Sequence, residues 1–311
     1  MASWNEINLQ LIQIEQQTGD PAALDQLRNA YINNLANIRG RNVICYYSGW
    51  LHINQNAFQL SINDDDMNGL MNAIHGMDRK KGLDLVLHTP GGEIAAAEAI
   101  VKYLMGCFGN DVVAIVPQLA MSAGTMVACA CKSIIMGRQS SLGPTDPQLN
   151  GVPAAGVIEE FNQAIEDAKL RPESIPMWSQ IISKYHPTFI GDCLKAVNAS
   201  KGMVESWLRS NMFSGDTDCD EKVNAIVDKL CEHQNSAMHN RHFSAQELID
   251  VGMKIELLES DNALQDAVLS VHHAFMTTFQ RSSAAKIIES SGDKHWIIQV
   301  AQIVANIQQP Q

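Results

Sequence analysis

Two short stretches carry the residues with the most chemistry in them. One is His88-Thr89-Pro90-Gly91-Gly92-Glu93, the other Leu119-Ala120-Met121-Ser122-Ala123-Gly124-Thr125. A glycine pair reaches backbone conformations closed to other residues and leaves a bare N–H that a ligand can approach closely, which is how an anion hole is built. Ser122 opens a run of small residues, Ala123 to Ala130. Its hydroxyl and the next backbone N–H would lie at the positive end of that helix, a position suited to attack on a carbonyl. An isolated serine there would be read as the N-cap of its helix. Ser122 is not isolated: the separation from Gly92 admits one helix and one strand, which sets the two turns side by side on adjacent parallel strands.

The elements that must hold these turns follow from the apolar pattern. Val43-Ile44-Cys45-Tyr46-Tyr47 reads as the first buried strand, followed by strands at Leu83 to His88, Val112 to Val116 and Ser133 to Met136. Between them come a helix from about Glu93 to Met105 and another from about Ser122. Alternating strand and helix implies an α/β fold with parallel strands and function at the strands' carboxyl ends. Before this core, Ile7, Leu11, Ile14, Leu27, Tyr31 and Leu35 have helical spacing, broken at Thr18 to Pro21, so residues 1–41 read as an N-terminal helical arm. The core domain is expected over 42–260. Leu264, Ala267, Val268, Val271 and Phe275 share a helical face, and 261–311 reads as a C-terminal helical segment. Asp64-Asp65-Asp66 precede another helical face and read as acids at a helix N-terminus rather than metal ligands.

Composition bounds the rest. The chain has 311 residues, 46% hydrophobic and 18% charged, with a formal charge of -12, so its field repels phosphate backbones and anionic lipid. Nucleic acid is not an expected partner. No apolar run is long enough for a membrane span, and the first thirty residues lack a signal-peptide pattern. Cytoplasmic localisation is the expectation. Seven cysteines without a CxxC pair read as buried thiols in a reducing compartment, and neither a metal nor a cofactor is called for. His272-His273 lies in a helical apolar pattern and reads as packed or interfacial.

The segments TPGGEIAAAEAIVKYL, VPQLAMSAGTMVACACKSIIMG and SSLGPTDPQ resemble the serine dehydrogenase proteinase family, in the clan of signal peptide peptidase A and the Clp protease, best over about residues 42–275. The resemblance implies a ClpP/crotonase-like spiral of β-β-α units with added N- and C-terminal helices, assembled as a homo-oligomer. It also implies a serine-type peptidase, independent of ATP, acting on peptides or unfolded protein through an acyl-enzyme. Carried over by position, Ser122 matches the nucleophile and the N–H groups of Gly92 and Ala123 the oxyanion hole, with Gly91 beside them. Clp-type members use histidine and aspartate as partners, signal peptide peptidase types lysine. Pro144-Thr145-Asp146 fall where the Clp histidine would be, so that dyad is absent as written, and Asp146 is left as an orienting or groove residue. Phe243 to Glu247 and Gly252 resemble the segment after the Clp aspartate, which puts Asn240 at its position with His239 alongside. Lys169, at the end of the helix after the proline-rich loop, is the lysine alternative. Two other readings stand beside the peptidase: a crotonase-like acyl-thioester enzyme, and a non-catalytic assembly or adaptor protein that keeps the fold.

Overall fold

The computed structural model describes residues 4–18, 22–53, 58–149, 151–231 and 241–299. Helices α1 (Trp4–Thr18) and α2 (Ala23–Arg39) lead into β1 (Asn42–Ser48). Then come α3 (Asp66–Ile74), β2 (Leu83–His88), α4 (Ile94–Phe108), β3 (Val112–Val116), β4 (Leu119–Ala120), α5 (Ala123–Cys129) and β5 (Ser133–Met136). Short strands β6 (Ser141–Leu142), β7 (Gln148–Leu149) and β8 (Val152–Pro153) precede α6 (Ala154–Leu170), α7 (Ile175–Ile182), α8 (Phe189–Trp207) and α9 (Cys219–Cys231). After β9 (Phe243–Ser244), α10 (Ala245–Asp250) and β10 (Ile255–Leu257), α11 (Asn262–Arg281) leads to β11 (Ala284–Ser290) and β12 (Lys294–Gln299).

Among the described residues the main sheet has the order β10-β5-β3-β2-β1-β11-β12. The first five strands run parallel, and β11 and β12 add antiparallel at the β1 edge. β1, β2 and β3 are buried along their whole length because helices cover both faces, so they are mainly apolar rather than alternating, and the one acid among them, Asp84 of β2, is paired with Arg39 and Arg41. On one face Leu85, Leu87, Leu104, Met126 and Val127 join α4 and α5 to the sheet. On the other, Tyr47, Val86, Val268 and Phe275 pack it against α2 and α11. Burial of each large apolar side chain of this kind contributes about 1.5–3 kcal/mol. Asp261 caps α11, its carboxylate accepting the N–H groups of Ala263 and Leu264 at 2.9 and 3.1 Å.

The C-terminal segment differs from the sequence expectation. Helix α11 is there, but the chain then turns back as the β11–β12 hairpin and completes the sheet. The apolar pattern of β11 is interrupted by Lys286 and Glu289, both buried and both paired with distant residues, Asp66 and Arg28. Separately, α6 and α8 enclose a small cluster of Ala154, Val157, Cys193 and Phe161, while Ile165, Leu170, Ile175 and Met177 stay exposed.

Candidate active site

The two motifs meet. Thr89, one residue past β2, bridges Ala120: its N–H donates to Leu119 O at 3.1 Å and its carbonyl accepts the Met121 N–H at 3.0 Å. Thr89 Oγ1 then accepts the Gly91 N–H at 3.1 Å, which tightens the turn. Gly91 has φ +95°, and a Cβ there would lie 2.6 Å from Met121 O and 2.7 Å from Ser122 Cβ. Only glycine lets the first turn rest against the second. Gly92, at φ +155°, lies against the backbone of Ile62, where a Cβ would overlap it.

Ser122 sits at φ +50°, ψ -118°, a backbone state that costs a non-glycine residue about 1–3 kcal/mol and persists only where its surroundings impose it. The surroundings are specific. The Gly124 N–H donates to Met121 O at 2.8 Å, and Thr125 Oγ1 donates to Ala120 O at 2.8 Å while accepting the Gly143 N–H at 3.0 Å. Although Ser122 occupies the N-cap position of α5, its side chain makes no capping bond. The plain capping reading therefore fails, and the hydroxyl is left to the cleft. Among the described residues the N–H groups of Gly92 and Ala123 donate to no protein acceptor. They remain as two fixed donors beside one hydroxyl, with the first-turn dipoles of α5 behind Ala123.

These atoms open on a cleft of about 640 Å³ lined by Gly91, Gly92, Ser122, Thr145 and Pro147, with Phe58, Ile94, Met126 and Leu149 as apolar walls. Glu93 is the titratable side chain at its edge among the described residues. A hydroxyl, two backbone N–H donors and an open groove are the parts that nucleophilic attack on a carbonyl requires.

The base candidates fare differently. Lys169 is not brought to the cleft: its side chain is 65% exposed on α6 and its Nζ pairs with Glu166 at 2.9 Å. A lysine at a helix end serves the helix and the solvent, and this one does. Asp146 is buried between cleft residues Thr145 and Pro147 without lining the cleft itself. Its charge, together with the larger effect of burial, helps push the Cys231 thiol up to about 11. His239 and Asn240 lie outside the described residues.

Three residues around the glycine turn were given no place there by the sequence. Ile62 pairs with the glycine turn, its N–H donating to Gly91 O at 2.7 Å and its carbonyl accepting the Glu93 N–H at 2.9 Å. Asp66 and Lys286 form a fully buried ion pair at 2.6 Å. The aspartate run was the visible signal, since Asp66 starts α3 as expected. Its carboxylate, however, is turned inward to Tyr46, Asn63 and Lys286 rather than capping the helix.

A largely parallel sheet carrying paired strand-to-helix turns is the ClpP-like mixed α/β fold. Residues 13–257 match the family described as ClpP-like SDH-type serine proteinase, and the chain belongs to that family. Two uncharacterized proteins of Methanocaldococcus jannaschii are similar to it. One is 40% identical over 102 residues, 33% of this chain and 35% of the relative. The other is 29% identical over 194 residues, 62% of this chain and 59% of the relative. The chain thus matches less than two thirds of the length of either. A serine-to-alanine variant of the 1510-N membrane-bound stomatin-specific protease aligns over 67% of this chain and 79% of that one, with 16% identity and a TM-score of 0.38. Among the described residues no helix is long and apolar enough to cross a membrane.

Proposed function

We propose that this chain is a serine peptidase that cleaves peptide bonds, without ATP, through an acyl-enzyme on Ser122. The observation that carries the reading is the state of Ser122: a non-glycine residue at φ +50°, uncapped, packed against Gly91 and facing the cleft. An extended substrate would add along the backbone of the glycine turn, its carbonyl oxygen aimed at the N–H groups of Gly92 and Ala123. Attack by Ser122 Oγ moves negative charge onto that oxygen, where donors set in advance stabilise it without reorganising. The hydroxyl proton must pass to a base and from there to the leaving amine, after which water repeats the sequence on the ester. His239 is the proposed base. In its support, Leu230 and Phe243, which precede and follow it in the sequence, are tied to the framework of the site: Leu230 O accepts the N–H of cleft residue Thr145, and Phe243 pairs with Leu142, which itself pairs with Ala120. Peptide or unfolded protein is the proposed substrate, and a cytoplasmic homo-oligomer the proposed working form.

Purified parent and Ser122→Ala chains compared on fluorescently labelled casein without ATP test this. The parent is expected to hydrolyse it, and the variant to lose about 10³-fold or more. Equal rates would remove Ser122 from the mechanism. A second reading, a scaffold that keeps the fold without hydrolysis, is favoured by one observation: the described residues lining the cleft include neither histidine nor lysine. A folded parent inert toward casein would support it.

A further inference from the structure

The buried pair Asp66–Lys286 lies outside the cleft, yet its hydrogen bonds lead into it. A buried ion pair is weak evidence for stability, because desolvation offsets most of the attraction. What sets this one apart is the destination of the second ammonium proton. Lys286 Nζ donates to Asp66 Oδ1 at 2.6 Å and to the carbonyl oxygen of Ser61, also at 2.6 Å. The Asp66 carboxylate is shared with the Tyr46 hydroxyl at 2.6 Å and the Asn63 N–H at 3.0 Å, so it does not serve the ammonium alone.

The carbonyl of Ser61 and the N–H of Ile62 belong to one peptide group. That N–H donates to Gly91 O at 2.7 Å, and the carbonyl of Gly91 belongs to the same peptide group as the N–H of Gly92. A positive charge therefore stands at one end of two peptide groups in series, and at the other end stands a free N–H facing the cleft. Each hydrogen bond withdraws electron density from the next group in the same direction, and in a low-dielectric interior such chains strengthen one another by about 10–30% per bond. The ammonium is fully buried, so water does not screen it at its source.

We propose that Lys286 is a positioning residue that orients the glycine turn and polarises the Gly92 N–H through the Ser61–Ile62 and Gly91–Gly92 peptide groups, making it a stronger oxyanion donor. The proposal rests on the reading of Gly92 as that donor. It gives β11, beyond the residues that match the family, a part in the site.

The test compares the parent with the double variant Lys286→Met/Asp66→Asn, in which both charges leave together and no lone charge stays buried. Losing a whole oxyanion donor costs about 100- to 1,000-fold, so weakening one by about 10–30% lowers kcat on a fluorogenic peptide roughly 2- to 8-fold. KM stays within about twofold, because ground-state binding is untouched. The inhibition constant of a peptide boronate rises by the same factor as kcat falls. In ¹⁵N-labelled protein the Gly92 amide proton moves upfield while those of Val113 to Val116 stay in place. Unchanged kcat, a change confined to KM, or a stationary Gly92 resonance in a folded variant would overturn the proposal. If the parent itself fails to cleave peptide, the Ser122 reading falls on its own account, and the Gly92 resonance still decides the relay. Should the double variant not fold, Lys286→Gln/Asp66→Asn replaces the charged pair by a neutral one that still hydrogen-bonds to Ser61, and is held to the same shifts in smaller measure.

Discussion

Tyr46 and Tyr47 are neighbours in β1, project to opposite faces of the sheet and meet opposite fates. The Tyr46 hydroxyl donates to Asp66 within the network that ends at the glycine turn, and every charge around it is paired. Among the described residues the Tyr47 hydroxyl, both ring nitrogens of His88 and Nδ1 of His272 find no hydrogen-bond partner, although all three side chains are buried. Rings fill that side instead. Tyr47 stacks on Phe275 at 4.0 Å between centroids, Trp50 lies 4.3 Å from His88, and His88 meets His272 edge-on at 5.2 Å. Burial, and then neighbouring histidines, hold His88 well below the ordinary histidine range and push His272 down to about 3. Buried charge is paired on both faces, as Lys286–Asp66 on the Tyr46 side and as Arg28–Glu289 on the Tyr47 side. The hydroxyls differ: that of Tyr46 is tied into its ion pair, while that of Tyr47 sits among packed rings.

The contrast can be broken first at the turn itself. Gly92→Ala forces a Cβ into the Ile62 backbone at a φ that favours glycine, and should lower peptide hydrolysis by at least about 100-fold, in a kcat measurement on variant that still elutes as folded protein. On the Tyr46 side, Lys286→Met alone strands the Asp66 carboxylate in the core. Denaturant unfolding should register a loss of about 3–5 kcal/mol, largely restored when Asp66→Asn is added.

On the Tyr47 side the effect depends on pH. Unfolded His272 takes up its proton near its ordinary value of 6.5, whereas in the native fold it does so at about 3. Between these values the unfolded chain binds a proton that the native chain refuses, so the stability is whole above pH 6.5 and is lost as pH falls toward 3. In His272→Phe the slope of stability against pH across that window should shrink by up to about 1.4 kcal/mol per pH unit, read from urea titrations at several pH values. The smallest change belongs to neither side. Lys169→Ala removes an exposed helix pair and should leave stability within about 0.5 kcal/mol and peptide turnover unaltered.

The same contrast explains what was legible in the sequence. Strands β3 and β5 were readable as short apolar runs preceded by Asp111 and Lys132, and β2 by its Leu85-Val86-Leu87 centre despite the buried Asp84; their position between helices implied a parallel sheet. Gly91, Gly92 and Ser122 were readable because local backbone demands select glycine and a small-residue helix start. Strand β11 was hidden by Lys286 and Glu289, charges that look like surface until their partners are known. Those partners are remote, Asp66 lying 220 positions from Lys286 in the chain, and no local pattern carries that pairing. Lys169 misled for the converse reason: sequence separation put it at a plausible distance from Ser122, but helical phase turned it to solvent.

The most direct test of the central claim is covalent capture. Treating the parent chain with an alkyl fluorophosphonate and mapping the adduct by peptide mass spectrometry should find the phosphonyl group on Ser122, with no labelling of Ser122→Ala. An adduct on another residue, or none on a folded parent, would contradict the assignment of Ser122 as the nucleophile.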